Sequence, residues 1–198
     1  PKWKMGKKIS IDSATLMNKM FELIEAQKLF SIPMNKLDVL IHPESLVHAI
    51  IELQNGLYKF IYHETSMIIP LANAIFEDKL HINDFLKVKS NRKKNGIYKK
   101  LNFMKVNKKT FPIINLQNRL NEYKSTPIII NAINEILVDQ YLKKKLTFVS
   151  FYKLILSVLN DRNYKKYAIK EPKNIEQILQ IDKWSRRSTY EKIEKKNA

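Results

Sequence analysis

An α/β portion followed by a C-terminal α-helical bundle is the fold class this sequence predicts. Three observations carry it. An Asn55-Gly56 pair stands between two runs rich in β-branched and aromatic residues. Apolar residues recur at helical spacing from Leu16 to Phe30. Beyond residue 110 the apolar residues recur at helical spacing only. A strand and a helix each have to bury one face, so strands in the first part and helices alone in the second imply two differently built regions.

In chain order, Ser13–Phe30 reads as one helix, with Leu16, Met17, Met20, Phe21, Ile24 and Phe30 on its apolar side. Asp12 or Ser13 can cap it, because a short oxygen-bearing side chain satisfies the free amides of a first turn. Pro33 blocks extension. Leu37–Ile41 is a short apolar run that fits a buried strand. Ala49–Leu53 and Leu57–Tyr62 flank Asn55-Gly56, a dipeptide suited to the two positive φ angles of a type I′ hairpin turn. Ser66–Phe76 reads as a helix if Pro70 falls early in it. The stretch 81–110 is rich in lysine and asparagine and reads as a connector. Helices are then expected over Thr126–Lys144, Ser150–Leu159 and Ile175–Glu194, with a shorter one over Ile114–Tyr123. The expected division is therefore 1–80, a connector 81–110, and a helical domain 111–198.

Composition narrows the function. The chain has no cysteine, which excludes disulfides and thiolate metal sites and fits a cytoplasmic protein. No apolar run is long enough to span a bilayer, so no membrane partner is expected. The net charge of +17 raises a second reading, a lysine-rich module for nucleic acid or another polyanion. The arginines are only Arg92, Arg119, Arg162, Arg186 and Arg187. Arginine supplies the fork geometry that reads phosphates and base edges, so a surface dominated by lysine speaks against nucleic acid as partner.

The run from Met5 to Glu22 holds the chemistry. On a helix, Asn18 and Glu22 are stacked one turn apart and Lys19 adjoins both. One face thus presents an amide, an ammonium and a carboxylate. Ser13, near the start of the expected helix, would lie where free amides and the helix dipole favour an anion. A phosphate held by Ser13, Asn18 and Lys19 and a cation held by Glu22 is one reading. A surface Lys19–Glu22 pair worth about 0.2–0.5 kcal/mol, with Ser13 as a simple cap, is the other.

The segment MGKKISIDSATLMNKMFELIEA resembles the signature of the 1-deoxy-D-xylulose 5-phosphate reductoisomerases. The resemblance continues in order through LDVLIHPESLVHAIIELQNG, SMIIPLANAIF, LNFMKVNKKTFPII and NAINEILVDQYL. It implies an enzyme that rearranges and reduces a phosphorylated sugar, using NADPH and a divalent metal (manganese, magnesium or cobalt). By resemblance, Ser13, Asn18 and Lys19 bind the phosphate end and hydroxyls of the substrate. Glu22 ligates the metal and touches substrate, and Glu22 and Lys19 are the catalytic pair. Trp3 and Met5 belong to a flap that closes over the substrate, and His48 and Met67 line the same pocket. Gly6, with Met5 and Met67, contacts NADPH. The resemblance further implies a homodimer formed through the catalytic-domain sheet, in a bacterial cytoplasm or, in a eukaryote, a plastid-type compartment. The partner carboxylates and the glycine-rich nucleotide domain of such enzymes lie upstream, so this chain is expected to be part of a longer protein and inactive alone. Two departures stand out. Met20 replaces a usual glycine, and Thr65–Pro70 replaces a stretch that usually carries an aspartate and an arginine.

Overall fold

The computed structural model describes residues 6–76 and 100–197. In chain order its elements are α1 (Lys7–Thr15), α2 (Met17–Phe30), β1 (Leu40–Ile41), β2 (Val47–Glu52), β3 (Tyr58–Tyr62), α3 (Ile68–Phe76), β4 (Met104–Lys105), α4 (Thr126–Leu142), α5 (Ser150–Leu159), α6 (Tyr164–Ala168) and α7 (Ile175–Asn197). Short 3-10 helices cover Met34–Lys36 and Pro112–Arg119. Helices with small antiparallel sheets are what the sequence predicts. Residues 6–39 and 106–197 form one compact unit, and 40–76 with 100–105 belong to a second. Most of the lysine-rich stretch 81–110 lies outside the described residues.

The helical unit is built on α4. Its Ile129, Ile130, Ile133 and Leu137 are fully buried, and Ile136 and Val138 nearly so. A helix apolar on most of its circumference belongs in an interior, and α4 is accordingly the central helix of this unit. Met17 and Met20 of α2, Phe151, Ile155 and Val158 of α5, and Ile181 of α7 join the same core. Pro127 sits in the first turn of α4, where its missing N–H costs no helical hydrogen bond. Arg186 of α7 pairs with Asp182 and reaches Glu135 of α4, and those bonds to carboxylates hold its guanidinium above its ordinary pKa.

The helix expected over Ser13–Phe30 is two helices. α1 begins at Lys7, six residues earlier than expected, and the chain breaks at Leu16, whose φ of 67° is left-handed. A leucine there costs about 1–2 kcal/mol. Thr15 compensates locally. Its Oγ1 donates to the Ile11 carbonyl at 3.0 Å and accepts from the Met17 amide at 3.2 Å. Asp12 is consequently no cap. It lies inside α1 and is 2% exposed.

In the second unit, β2 and β3 pair antiparallel with Ile50 opposite Phe60 and Glu52 opposite Tyr58, and a bulge falls between Val47 and Ala49. The hairpin is where the sequence predicts it, but the turn is not type I′. Gly56 has φ of 81°, whereas Asn55 has no positive φ. The Gly56 amide donates to the Leu53 carbonyl, and the Leu53 amide to the Leu57 carbonyl, both at 2.9 Å. This is a three-residue loop closed by a left-handed glycine. The Asn55 side-chain oxygen completes it by accepting from the Leu57 amide at 3.1 Å. β1 pairs with β4, with Leu40 opposite Lys105. It is shorter and more exposed than the buried strand expected over Leu37–Ile41. Pro70 is the third residue of α3, so the proline is accommodated in the first turn.

Candidate functional site

α2 opens with Met17, Asn18 and Lys19, and Glu22 follows one turn later. The Asn18 amide donates to Glu22 Oε1 at 2.5 Å, and Lys19 Nζ donates to Glu22 Oε2 at 2.6 Å. The stacking expected from spacing is therefore realised, and both carboxylate oxygens are engaged. Lys19 and Glu22 side chains are 43% and 44% exposed, open enough to exchange these contacts for a ligand. The opposite side of the helix is closed, with Met17, Met20 and Leu23 buried. Met20, the departure from the usual glycine, is fully buried, so the extra side chain fills the core and leaves the polar face unobstructed.

Ser13 is exposed, but near the C-terminal end of α1, where its carbonyl accepts from the Leu16 amide at 3.2 Å. The helix start that favours an anion is instead that of α2, and its first turn carries Asn18 and Lys19. Gly6 precedes α1 with φ of −62° and ψ of 164°, a conformation open to any residue. A Cβ built there meets nothing within 4 Å. No local steric demand accounts for a glycine at this position.

His48 and Met67 belong to the second unit. The His48 ring stacks on His63, centroids 3.7 Å apart. Its Nε2 lies 3.1 Å from the His63 carbonyl, a contact that requires a proton on Nε2. Met67 is half exposed just before α3. Trp3 and Met5 lie outside the described residues. Among the described residues no three His, Cys, Asp or Glu side chains gather into a metal-binding group. Glu22 can thus contribute one hard oxygen ligand, of the kind magnesium or manganese takes, but not a complete set.

Residues 64–188 match the family described as the DXP reductoisomerase C-terminal domain, more than half of the chain. The chain belongs to the 1-deoxy-D-xylulose 5-phosphate reductoisomerase family. Residues 1–30 separately match a second C-terminal domain of the same enzymes. The reductoisomerase of Pelagibacter ubique is 38% identical over 183 residues, covering 92% of this chain and 46% of that protein. The Aquifex aeolicus reductoisomerase is 36% identical over 200 residues, covering 100% and 50%. A crystal structure of DOX-P reductoisomerase in complex with NADPH, fosmidomycin and magnesium superposes with a TM-score of 0.83 at 30% identity, covering 98% of this chain and 48% of that one. The Zymomonas mobilis reductoisomerase in complex with NADPH gives 0.80 at 29%, covering 94% and 47%. The chain spans about half the length of the reductoisomerases it matches.

The polyanion reading gains nothing from these relatives, and two of the five arginines are engaged within the fold. Arg119 is spent inside the fold, donating to Glu122 at 2.7 Å, Asn160 at 2.8 Å and the Leu159 carbonyl at 3.1 Å. Arg186 is held by Asp182 and Glu135. Sequence reasoning missed one constituent of this region. Asn134 of α4, fully buried, reaches Asp12 beside the Ser13–Glu22 stretch. Asn131, Asn134 and Glu135 all interrupt the apolar stretch 129–138, so polarity alone did not single out Asn134.

Proposed function

We propose that this chain is the substrate- and metal-facing portion of an enzyme converting 1-deoxy-D-xylulose 5-phosphate to 2-C-methyl-D-erythritol 4-phosphate. The observation that carries the reading is the Asn18–Lys19–Glu22 cluster at the first turn of α2, in the segment that matches the reductoisomerases. NADPH and magnesium are named in the solved relatives and are the cofactors assigned here. By role, 1–80 is the catalytic portion, 81–110 a connector and 111–198 the helical domain, with α1 and α2 relying on the helical domain for their packing.

Each residue then has a task. Asn18 and Lys19 hold the phosphate end and hydroxyls of the sugar, aided by the positive end of α2, and Ser13 adds a hydroxyl from α1. Glu22 exchanges its contacts to Asn18 and Lys19 for a divalent cation. When bound, that cation polarises the substrate carbonyl as a Lewis acid. The binding energy gained at the phosphate orients the reacting carbons. Gly6 leaves room for a close approach of NADPH to the backbone, which is what a glycine without a conformational duty permits. Trp3 and His48 keep the substrate-contact role, and Met5 and Met67 the NADPH-contact role, that the family resemblance assigns them. A homodimer forms through the strand unit, whose Ile51 and Ile61 are exposed. The bacterial cytoplasm is the assigned compartment. Among the described residues no helix is long and apolar enough to cross a membrane.

The test is Glu22→Gln and Lys19→Ala in the protein as the cell makes it. Glu22→Gln keeps the shape but loses the charge, so turnover is expected to fall at least about 100-fold with the fold intact, and apparent magnesium affinity to drop. Lys19→Ala is expected to raise KM for the phosphorylated sugar more than it alters the magnesium dependence. Normal turnover by Glu22→Gln at low magnesium would remove Glu22 from the metal site.

A further inference from the structure

Asn134 has no exposed surface and its Oδ1 has no hydrogen-bond partner. Its Nδ2 donates to Asp12 Oδ1 at 2.8 Å, across 122 residues of sequence. Asp12 is almost as buried, and its second oxygen accepts from Lys8 Nζ at 2.7 Å. That ammonium in turn lies 5.5 Å from the centroid of the Phe21 ring, the residue before Glu22. One chain of contacts therefore runs from the middle of α4, through α1, to Phe21 on α2. The helix break at Leu16 lies inside this chain of contacts, and the Thr15 hydroxyl that closes the break belongs to the turn after Asp12.

For stability alone this is a poor arrangement. A buried carboxylate and a buried amide with an unsatisfied oxygen are each worse than an apolar pair of the same shape. The other residues of α4 buried close to Asn134, namely Ala132, Ile133, Ile136 and Leu137, are apolar. What the pair does supply is direction. A hydrogen bond between two packed side chains ties the last turn of α1 to α4, next to the break at Leu16 that Thr15 closes. The polar face of α2 is only as well aimed as that junction.

We infer that Asn134 is a positioning residue for the substrate and metal cluster, acting through Asp12 to hold the α1–α2 junction. The inference rests on the function proposed above. Groups that orient metal ligands from behind typically alter affinity or activity by about 10- to 100-fold when removed. A ligand displaced by about 1 Å can cost a comparable factor.

The experiment has two arms. In the first, hydrogen exchange is measured on the complete enzyme and on its Asn134→Leu variant. Exchange is expected to accelerate at the amides of Met17–Glu22, while those of Ile155–Leu159 in α5 stay protected. In the second, kcat and KM are measured in the complete enzyme for Asn134→Leu, Asn134→Asp and the exchanged pair Asp12→Asn with Asn134→Asp. Asn134→Leu leaves the buried Asp12 short of a partner and so lowers the melting temperature, and well below that temperature it is expected to lose about 10- to 100-fold in kcat. Asn134→Asp sets two carboxylates face to face, and the exchanged pair, which restores an amide against a carboxylate, is expected to recover at least about tenfold of the loss. Full kcat in Asn134→Leu overturns the inference, as does exchange that accelerates equally in α5, because the pair would then serve the bundle alone. If Asn134→Leu does not fold, the exchanged pair decides: no recovery over Asn134→Asp overturns it. Wild-type enzyme without reductoisomerase turnover refutes the proposed function instead, and the exchange arm still reads the junction.

Discussion

Ile129, Ile130 and Ile133 of α4 have no exposed surface, whereas Ile50, Ile51 and Ile61 of the hairpin stand 37%, 43% and 49% exposed. The same side chain is used in opposite ways in the two units. In the helical unit, segments from before residue 40 and after residue 105 cover the apolar sides of α4 and leave open only the stripe of Asn131, Glu135, Asp139 and Leu142. In the hairpin both faces stay open: Phe103 lies 6.4 Å from Phe60, yet Phe60 is still exposed, as are Ile51 and Ile61 on the other face. A region that closes its own core can be judged by stability. A region that leaves apolar residues uncovered is better judged by association.

Substitutions can break this comparison. The largest effect is expected at Leu137, fully buried in α4: Leu137→Ala should cost about 2–5 kcal/mol in urea unfolding, while Ile51→Ala should stay within about 0.5 kcal/mol. Equal losses at the two sites would mean that the hairpin is buried in solution. The converse is Ile51→Lys, which should weaken self-association at least about tenfold, equivalent to about 1.4 kcal/mol, and leave the helical unit's melting unchanged. Sedimentation over a concentration series checks it, and association unaffected by the charge would remove this face from the interface.

Gly56→Ala comes next. Its φ of 81° is left-handed and a Cβ would meet nothing, so only the backbone penalty of about 1–2 kcal/mol should appear. It should show in exchange of the β2–β3 amides and not in α4. The smallest effect is a slope. Tyr164 is buried, donates to Glu122 at 3.3 Å, and shares a hydrogen bond of 2.7 Å with Thr126. Burial first, then the Glu122 charge, pushes its phenol up to about 12 from the ordinary 10.0, against the opposing pull of Thr126 and Arg119. The folded state therefore keeps a proton that the unfolded chain releases above pH 10. Stability should be undiminished below that point and fall as pH rises toward 12. Tyr164→Phe should unfold with a shallower pH dependence over that window. Identical slopes would show that Tyr164 is ionised or exposed when folded.

Most of the architecture was legible because period is a strong signal. α5 runs over Ser150–Leu159 as expected, α4 ends two residues short of the expectation at Leu142, and α7 runs on to Asn197. The Asn18–Lys19–Glu22 cluster was legible because three- and four-residue spacing on a helix fixes neighbours. What escaped depended on single residues. Nothing in the composition around Leu16 announces a left-handed leucine, because Thr15 and the packing of Met17 impose it. The turn at Gly56 takes in Gln54 as a third loop residue and leaves Asn55 without a positive φ, with the Asn55 side chain accepting from the Leu57 amide. Asp12 reads as a cap in sequence because its partner, Asn134, is far away along the chain.

That separation has a cost in time. Ribosomes add about 5–20 residues per second, so the 122 residues between Asp12 and Asn134 take roughly 6–24 s to make. Through that interval α1 and α2 have left the tunnel, or are leaving it, with Met17 and Met20 unburied, since the α4 side of their core has not yet been synthesised. The residues proposed to do the chemistry are translated well before the helix against which they are packed. A nascent chain stalled before residue 134 would expose the apolar side of α2 to whatever holds unfolded chains in the cell.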